Sequence, residues 1–419
     1  MLVFLCEPQR SLCLGGASGT EKTTLVFLCV PQRPLRLCGE LEPPVSGLFR
    51  SFWIAGFECS CQINSAGKRL DMSAAVQHDR LALEDYRMIR DAGMATARDG
   101  LRWHRIDRCG RYDWSTWIPM IEAARTAGVQ VIWDLCHYGW PDDLDIFSPA
   151  FIARFSRFAA EAARVHREHT DDVPFFNPVN EINFFTWAAT RPLIFPYARG
   201  KDQDLKRQLI RASIAGIEAI RAVDERARIV FAEPLIHNVP PRRRPQLTEP
   251  AQRQRDSQFE AFDMIAGRAA PEIGGQESFL DIVGLNYYAA NQWEVPGGRK
   301  LHWDAGSNDP RWMPLHKLLR EVWERYHRPI FLAETSHYGT GRAAWLEEVA
   351  RETRLAIESG VPFEGICLYP ILDRYDWEDC RHWHNSGLWD LQVNGSGRYA
   401  RVLNEEYARA LRDAQRFLF

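Results

Sequence analysis

The segment VPFFNPVNEI, residues 173–182, runs from an apolar, aromatic stretch straight into Asn180 and Glu181. A run this short, with β-branched and aromatic residues, reads as a buried strand with a polar end. Seven other segments share its build: FWIAGFECS (52–60), ATARDGLRW (95–103), VQVIWDLCHY (129–138), RIVFAEPL (228–235), FLDIVGLNYY (279–288), PIFLAET (329–335) and GICLYPILD (365–373). Between them lie helical patterns such as HDRLALEDYRMIRDAG (78–93), PAFIARFSRFAAEAARVHRE (149–168) and AAWLEEVARETRLAIESG (343–360), apolar at three- and four-residue steps and often closed by Gly. A last helix is expected near 397–417. Eight alternating units predict an α/β protein, a single (β/α)8 TIM barrel with enlarged βα loops; periodicity alone leaves a doubly wound sheet as the alternative.

In such a barrel, chemistry belongs at the carboxyl ends of the strands, where the βα loops converge on one cavity. Polar residues are dense there: Gln62, Arg98, His137, Asn180, Glu181, Glu233, Asn286, Tyr288, Glu334, Asp373 and Asp376. Glu181 and Glu334 end strands 4 and 7, which face each other across a barrel mouth. Paired carboxyl groups suit glycoside hydrolysis, one attacking the anomeric carbon while the other protonates the departing oxygen.

Composition excludes other classes. The chain has 419 residues, 46% hydrophobic and 12% aromatic, which supports a large core and excludes disorder. With Lys+Arg 52 against Asp+Glu 55 the net charge is -3, so neither nucleic acid nor an anionic membrane is an expected partner. No apolar run reaches the ~18 residues of a membrane span. Ten cysteines without metal-type spacing, after a start (MLVFLCEPQR) lacking a basic leader region, predict reduced thiols and a cytoplasmic protein. LVFLCEPQRSL (2–12) recurs as LVFLCVPQRPL (25–35), so residues 1–50 read as a poorly structured appendage and 51–419 as the barrel. No cofactor or metal is expected, and oligomeric state is left open.

From Phe52 onward the chain resembles glycoside hydrolase family 1, the β-glucosidase family, within its clan of retaining (β/α)8 glycosidases. ARDGLRWHRI (97–106) is similar to the family's strand 2 motif, HYGWP (137–141) to its H-x-x-x-P element, VNEI (179–182) to its N-E acid/base motif, and GLNYY to its strand 6 motif. AET (333–335) sits where the family has T-E-N-G. YPILDRYDW (369–377) with SGLWD (386–390) resembles its strand 8 run and the F-G-L sequence beyond.

The resemblance implies a retaining β-glycosidase with Glu334 as nucleophile and Glu181 as general acid/base. Arg98 and Tyr288 would support the nucleophile as a carboxylate, while Glu181 needs a raised pKa. Gln62, His137, Asn180, Asn286, Asp376 and Trp377 would bind a small-molecule glycoside or oligosaccharide. The chain departs from the family where Asp376 replaces a glutamate, where Tyr369 and Pro370 replace Trp-Ser, where Thr335 and Ser336 replace Asn-Gly, and where Ile182 replaces a proline. A phosphosugar signature is not evident, though Arg374 and Arg381 follow strand 8. The alternatives are a non-catalytic glycan-binding barrel and a transglycosylase of the same fold.

Other residues carry plainer expectations. Glu58 and Glu233 read as structural carboxylates, Cys59 and Cys61 as inert packing on one face of strand 1, and His382 and His384 as a pair without a third metal ligand. Trp140, Trp377 and Trp383 are candidates for stacking on sugar. The Pro- and Arg-rich segment 237–258 reads as a solvated lip over the site.

Overall fold

The computed structural model describes residues 47–304, 309–395 and 397–418. Both duplicated segments, and residues 1–46 of the expected appendage, lie outside the described residues. Eight strands form the barrel: β1 (Trp53–Gly56), β2 (Thr96–Gly100), β3 (Gln130–Cys136), β4 (Phe175–Val179), β5 (Arg228–Pro234), β6 (Ile282–Asn286), β7 (Ile330–Thr335) and β8 (Phe363–Leu368). Each pairs in parallel with its neighbours, and β8 returns to β1. Closure removes the doubly wound alternative, which has open edges.

The period-2 alternation of the strands sorts their side chains between two cores. Ile54 joins Ile132, Val230 and Ile282 in an inner cluster, whereas its neighbours Trp53 and Ala55 belong to the larger cluster shared with the helices. The outer ring is α1 (His78–Asp91), α2 (Ile118–Ala127), α3 (Pro149–His169), α4 (Asp202–Val223), α5 (Glu260–Ile265), α6 (Leu315–Tyr326), α7 (Arg342–Glu358) and α8 (Glu405–Leu418). In α3, Pro149 supplies the first turn, and Phe151, Phe155, Phe158 and Ala162 form its buried stripe. Helix α2 stops at Gly128, whose φ of 69° only glycine adopts without strain.

The amino-terminal end of the barrel is sealed by an aromatic plug. The Phe49 ring lies tilted 5.6 Å from Phe175 and edge-on 5.0 Å from Phe331. The Leu48 amide donates to Glu364 (3.1 Å), and Arg50 pairs with Asp172 (2.6 Å). These residues, expected in the appendage, are therefore joined to the barrel.

The last expected helix is shorter than its pattern. Residues Tyr399–Leu403 form a strand paired antiparallel with Trp389–Val393, and α8 begins only at Glu405. Alternating exposure along 399–403 is the strand period, and a hairpin satisfies both backbones there. Among the described residues, no helix is long and apolar enough to cross a membrane.

Candidate active site

The carboxyl ends of the strands surround a cavity of about 180 Å³ lined by Glu181 and Glu334 together. Glu334 is the fifth residue of β7 and aligns across the sheet with Asn286 of β6. Glu181 lies two residues beyond β4, where the chain turns into the helix Ile182–Thr190. Its φ of 45° is left-handed, a conformation costly for a residue with a Cβ, and its amide is tied to the Ala232 carbonyl of β5 (2.9 Å). Tyr138, just past β3, shares this conformation (φ 64°). Two strained residues side by side at a cavity mark a site whose surroundings hold them there.

Beneath the cavity lies Arg98, fully buried, with every N–H engaged. Its Nη1 donates to Glu334 Oε1 (2.7 Å) and the Ala333 carbonyl (3.1 Å); Nε and Nη2 donate to the two oxygens of Asp134 (3.1 and 2.8 Å); Nη2 also donates to Asn180 Oδ1 (2.5 Å). The Tyr369 ring lies 5.3 Å from the guanidinium. Room for that ring comes from Gly56, where a Cβ would fall 2.2 Å from it.

The second oxygen of Glu334 accepts from the Tyr288 hydroxyl (2.6 Å). Burial, and next the Glu334 charge, push the Tyr288 phenol far above its ordinary pKa, so it stays a donor. Glu334 is thus held from both sides as a carboxylate receives donors.

Glu181 has the opposite surroundings. Burial, and then the Glu334 charge, raise its pKa to about 7 against the downward pull of the Tyr138 hydrogen bond and the nearby Asn286 amide. Tyr138 donates to Glu181 Oε2 (2.5 Å) and itself accepts from Asn180 Nδ2 (3.0 Å). Asn180 Nδ2 also faces His137 Nε2 (3.0 Å), whose other nitrogen meets Asp134 (3.0 Å). With Asn180 Oδ1 fixed by Arg98, its amide donates to Nε2, which sets the proton of the neutral imidazole on Nδ1, toward Asp134. Burial opposes charge on Asp134, but Arg98 and His137 outweigh it and hold the pKa below the ordinary value.

The ten residues expected at the site divide into three groups. Glu181, Glu334, Tyr288, His137, Asp376 and Trp377 line the cavity. Arg98 and Asn180 form its floor through the bonds above, and buried Asn286 stands beside Glu181 and Glu334. Gln62 does not line the cavity: it is buried beyond β1, and its carbonyl accepts from Leu70. The loop after β1 swings aside, with Cys61 against Gly139, and Glu58 takes the place at the wall.

Asp376 is engaged by its own loop. Its Oδ1 accepts from the amides of Glu378 (2.8 Å) and Asp379 (2.9 Å), and its Oδ2 lies 3.3 Å from His384 Nε2. Although burial works against the charge, these partners hold its pKa well below the ordinary value. The Trp377 indole N–H has no partner among the described residues, and its ring lies 6.0 Å from Tyr138.

Of the other expectations, Trp377 alone among the three tryptophans reaches the cavity. Trp140 is packed on Phe195 and donates to the Leu144 carbonyl, and Trp383 rests against Tyr375 and Tyr399. Glu58, expected to be structural, lines the wall, paired with Arg374 at 3.2 Å. Glu233 is fully buried behind Glu181; burial raises its pKa to about 8, and its Oε2 accepts from the Asn183 amide (3.0 Å). Segment 237–258 is no lip: it contains a short strand and the helix Thr248–Asp256, and lines a neighbouring cavity instead. Cys59 and Cys61 lie beyond β1, and burial pushes both thiols far above their ordinary pKa. Cys59 is grouped with Asp134 and His137, but a protonated thiol and a carboxylate already saturated by Arg98 make a poor cation site. Residues not foreseen at the wall include Tyr138, Phe184, Asn291, His337 and Tyr338.

No family model matches the sequence, and no curated protein does. Solved structures are similar in fold. The family 1 β-glucosidase from Thermotoga maritima superposes with a TM-score of 0.68 at 15% identity, covering 87% of this chain and 97% of that one. In complex with castanospermine the values are the same, and in complex with isofagomine lactam they are 0.65 and 16%, over 81% and 87%. At identity this low, the likeness shows the shared (β/α)8 fold alone.

Proposed function

We propose that the chain is a glycoside hydrolase, a retaining β-glycosidase acting on a terminal β-linked sugar. The observation that carries this reading is the unequal environment of two carboxyl groups in one cavity. Glu334 receives donors from Arg98 and Tyr288, while Glu181 is driven toward its protonated form by burial and by Glu334 itself. The likeness in fold to β-glucosidases agrees with it.

In the first step Glu334 attacks the anomeric carbon as the Glu181 proton passes to the glycosidic oxygen, which leaves with the bonding electrons. Loss of that proton makes Glu181 a base. It then takes a proton from water attacking the same carbon, the bond to Glu334 breaks, and both carboxyl groups return to their starting states. Tyr138 keeps one Glu181 oxygen oriented, and Trp377 offers an apolar face to the sugar.

A panel of aryl β-glycosides tests this reading, with the anomer of the first product followed by NMR. Retention and covalent labelling of Glu334 by a 2-fluoro-glycoside are expected. Turnover of no member, with Glu334 unlabelled, would favour a glycan-binding barrel; inversion would remove the covalent step.

A further inference from the structure

The Glu58–Arg374 pair lies on the cavity wall, and neither the two-carboxylate mechanism nor the family resemblance uses it. Glu58 follows β1 and is 5% exposed; Arg374 follows β8. Glu58 Oε2 lies 3.2 Å from Arg374 Nε, and Glu58 Oε1 accepts from the Ser60 amide (3.1 Å). Arg374 Nη1 donates to the Tyr375 carbonyl (3.1 Å), and its guanidinium lies 5.4 Å from the Trp377 ring. The cation is therefore engaged on three sides before any sugar enters.

The charge balance of the cavity gives this pair its meaning. Glu58, Glu334, Asp376 and Glu378 all line the wall, against Arg374 as the only Arg or Lys among the described lining residues. Arg98 lies below the floor with its donors spent. A glycon bearing a carboxylate or phosphate meets a wall of net negative charge whose one guanidinium is already paired with Glu58. A hydroxyl, donor and acceptor at once, suits both members of the pair without breaking it.

We propose that the Glu58–Arg374 ion pair is the specificity determinant of the site, selecting uncharged, hydroxylated glycons and rejecting uronic acids and sugar phosphates. The inference rests on the glycosidase reading for its substrate class, and repulsion between like charges is its physical basis. Releasing Arg374 while keeping the shape of its partner inverts the preference.

Binding of non-hydrolysable phenyl 1-thio-β-glucoside and phenyl 1-thio-β-glucuronide, measured by calorimetry, separates this proposal from the chemistry. The wild type is expected to favour the glucoside by about 100-fold. Glu58→Gln should bring that ratio down at least tenfold through tighter glucuronide binding, while Arg374→Met weakens the glucoside with no gain for the glucuronide. A merely structural pair would weaken both ligands together and leave the ratio unmoved. Equal wild-type affinities, no binding of either ligand, or an unchanged ratio in Glu58→Gln would overturn the proposal. Thioglycosides bound with the expected ratio while aryl β-glycosides go uncleaved would sink the hydrolase reading alone.

Discussion

The two ends of the barrel are built from opposite materials. At the amino-terminal end, Phe49, Phe175 and Phe331 close the channel with tilted and edge-on rings. At the carboxyl end, β2, β3, β4 and β7 bring Arg98, Asp134, Asn180 and Glu334 into a bonded network that leaves few donors unused. The aromatic end gains from burial, which is tolerant of detail. The polar end gains little net stability, because desolvating charges costs about what pairing them returns. What it obtains is fixed geometry. The difference teaches that one sheet keeps stability and chemistry apart by assigning them to opposite ends of its strands.

Substitutions at each end should therefore move different observables. The largest effect is expected for Glu334→Ala, which removes the attacking group. kcat on activated aryl β-glycosides should fall by on the order of 10⁴-fold or more, with the melting temperature little changed. Phe49→Ala should do the reverse, costing roughly 3–5 kcal/mol by denaturant titration while kcat stays near the wild-type value. A kcat loss matching the stability loss would show that the ends are coupled. Tyr288→Phe removes one donor to a charged oxygen, worth about 1.5–3 kcal/mol. A fall in kcat/KM of about 10- to 150-fold should follow, sharpening the contrast to a single hydrogen bond.

Two effects of pH complete the comparison. The Glu181 proton is the one transferred, and its raised pKa of about 7 places the alkaline limb of kcat/KM there: activity persists below and is lost as pH rises through 7. Glu181→Gln should abolish that limb along with most turnover of poor leaving groups. The smallest expected change concerns Glu233. Its folded pKa is raised to about 8, so the stability it contributes is complete below the unfolded carboxyl value and fades as pH rises through 8. Glu233→Gln should flatten the melting temperature between about pH 5 and 8. An unchanged slope would assign the pH dependence to other groups.

Much of this was legible in the chain itself. The eight strands read correctly because each is a short apolar run flanked by helical periods, and only Tyr399–Leu403 was absorbed into a neighbouring helix. Glu181 and Glu334 stood out because a carboxyl group directly after a buried strand has no packing reason to be there. Tyr138 was hidden because an aromatic next to a strand end looks like any core residue; its left-handed backbone is what aims it, and no spacing encodes that. That Glu58 and not Gln62 reaches the wall is illegible in the sequence for one cause. Once the chain leaves β1, its path depends on contacts from distant segments, such as Arg69 donating to the Cys61 carbonyl and Gly139 admitting Cys61.

Arg98 reaches from β2 to groups on or next to β3, β4 and β7, so a single side chain cross-braces half the circumference of the barrel. A mouth braced from within does not depend on the outer loops for its shape. Loops could then be exchanged, lengthened or grafted from relatives to meet new leaving groups, provided the brace is left whole. Diversity at the rim is what a rigid centre permits.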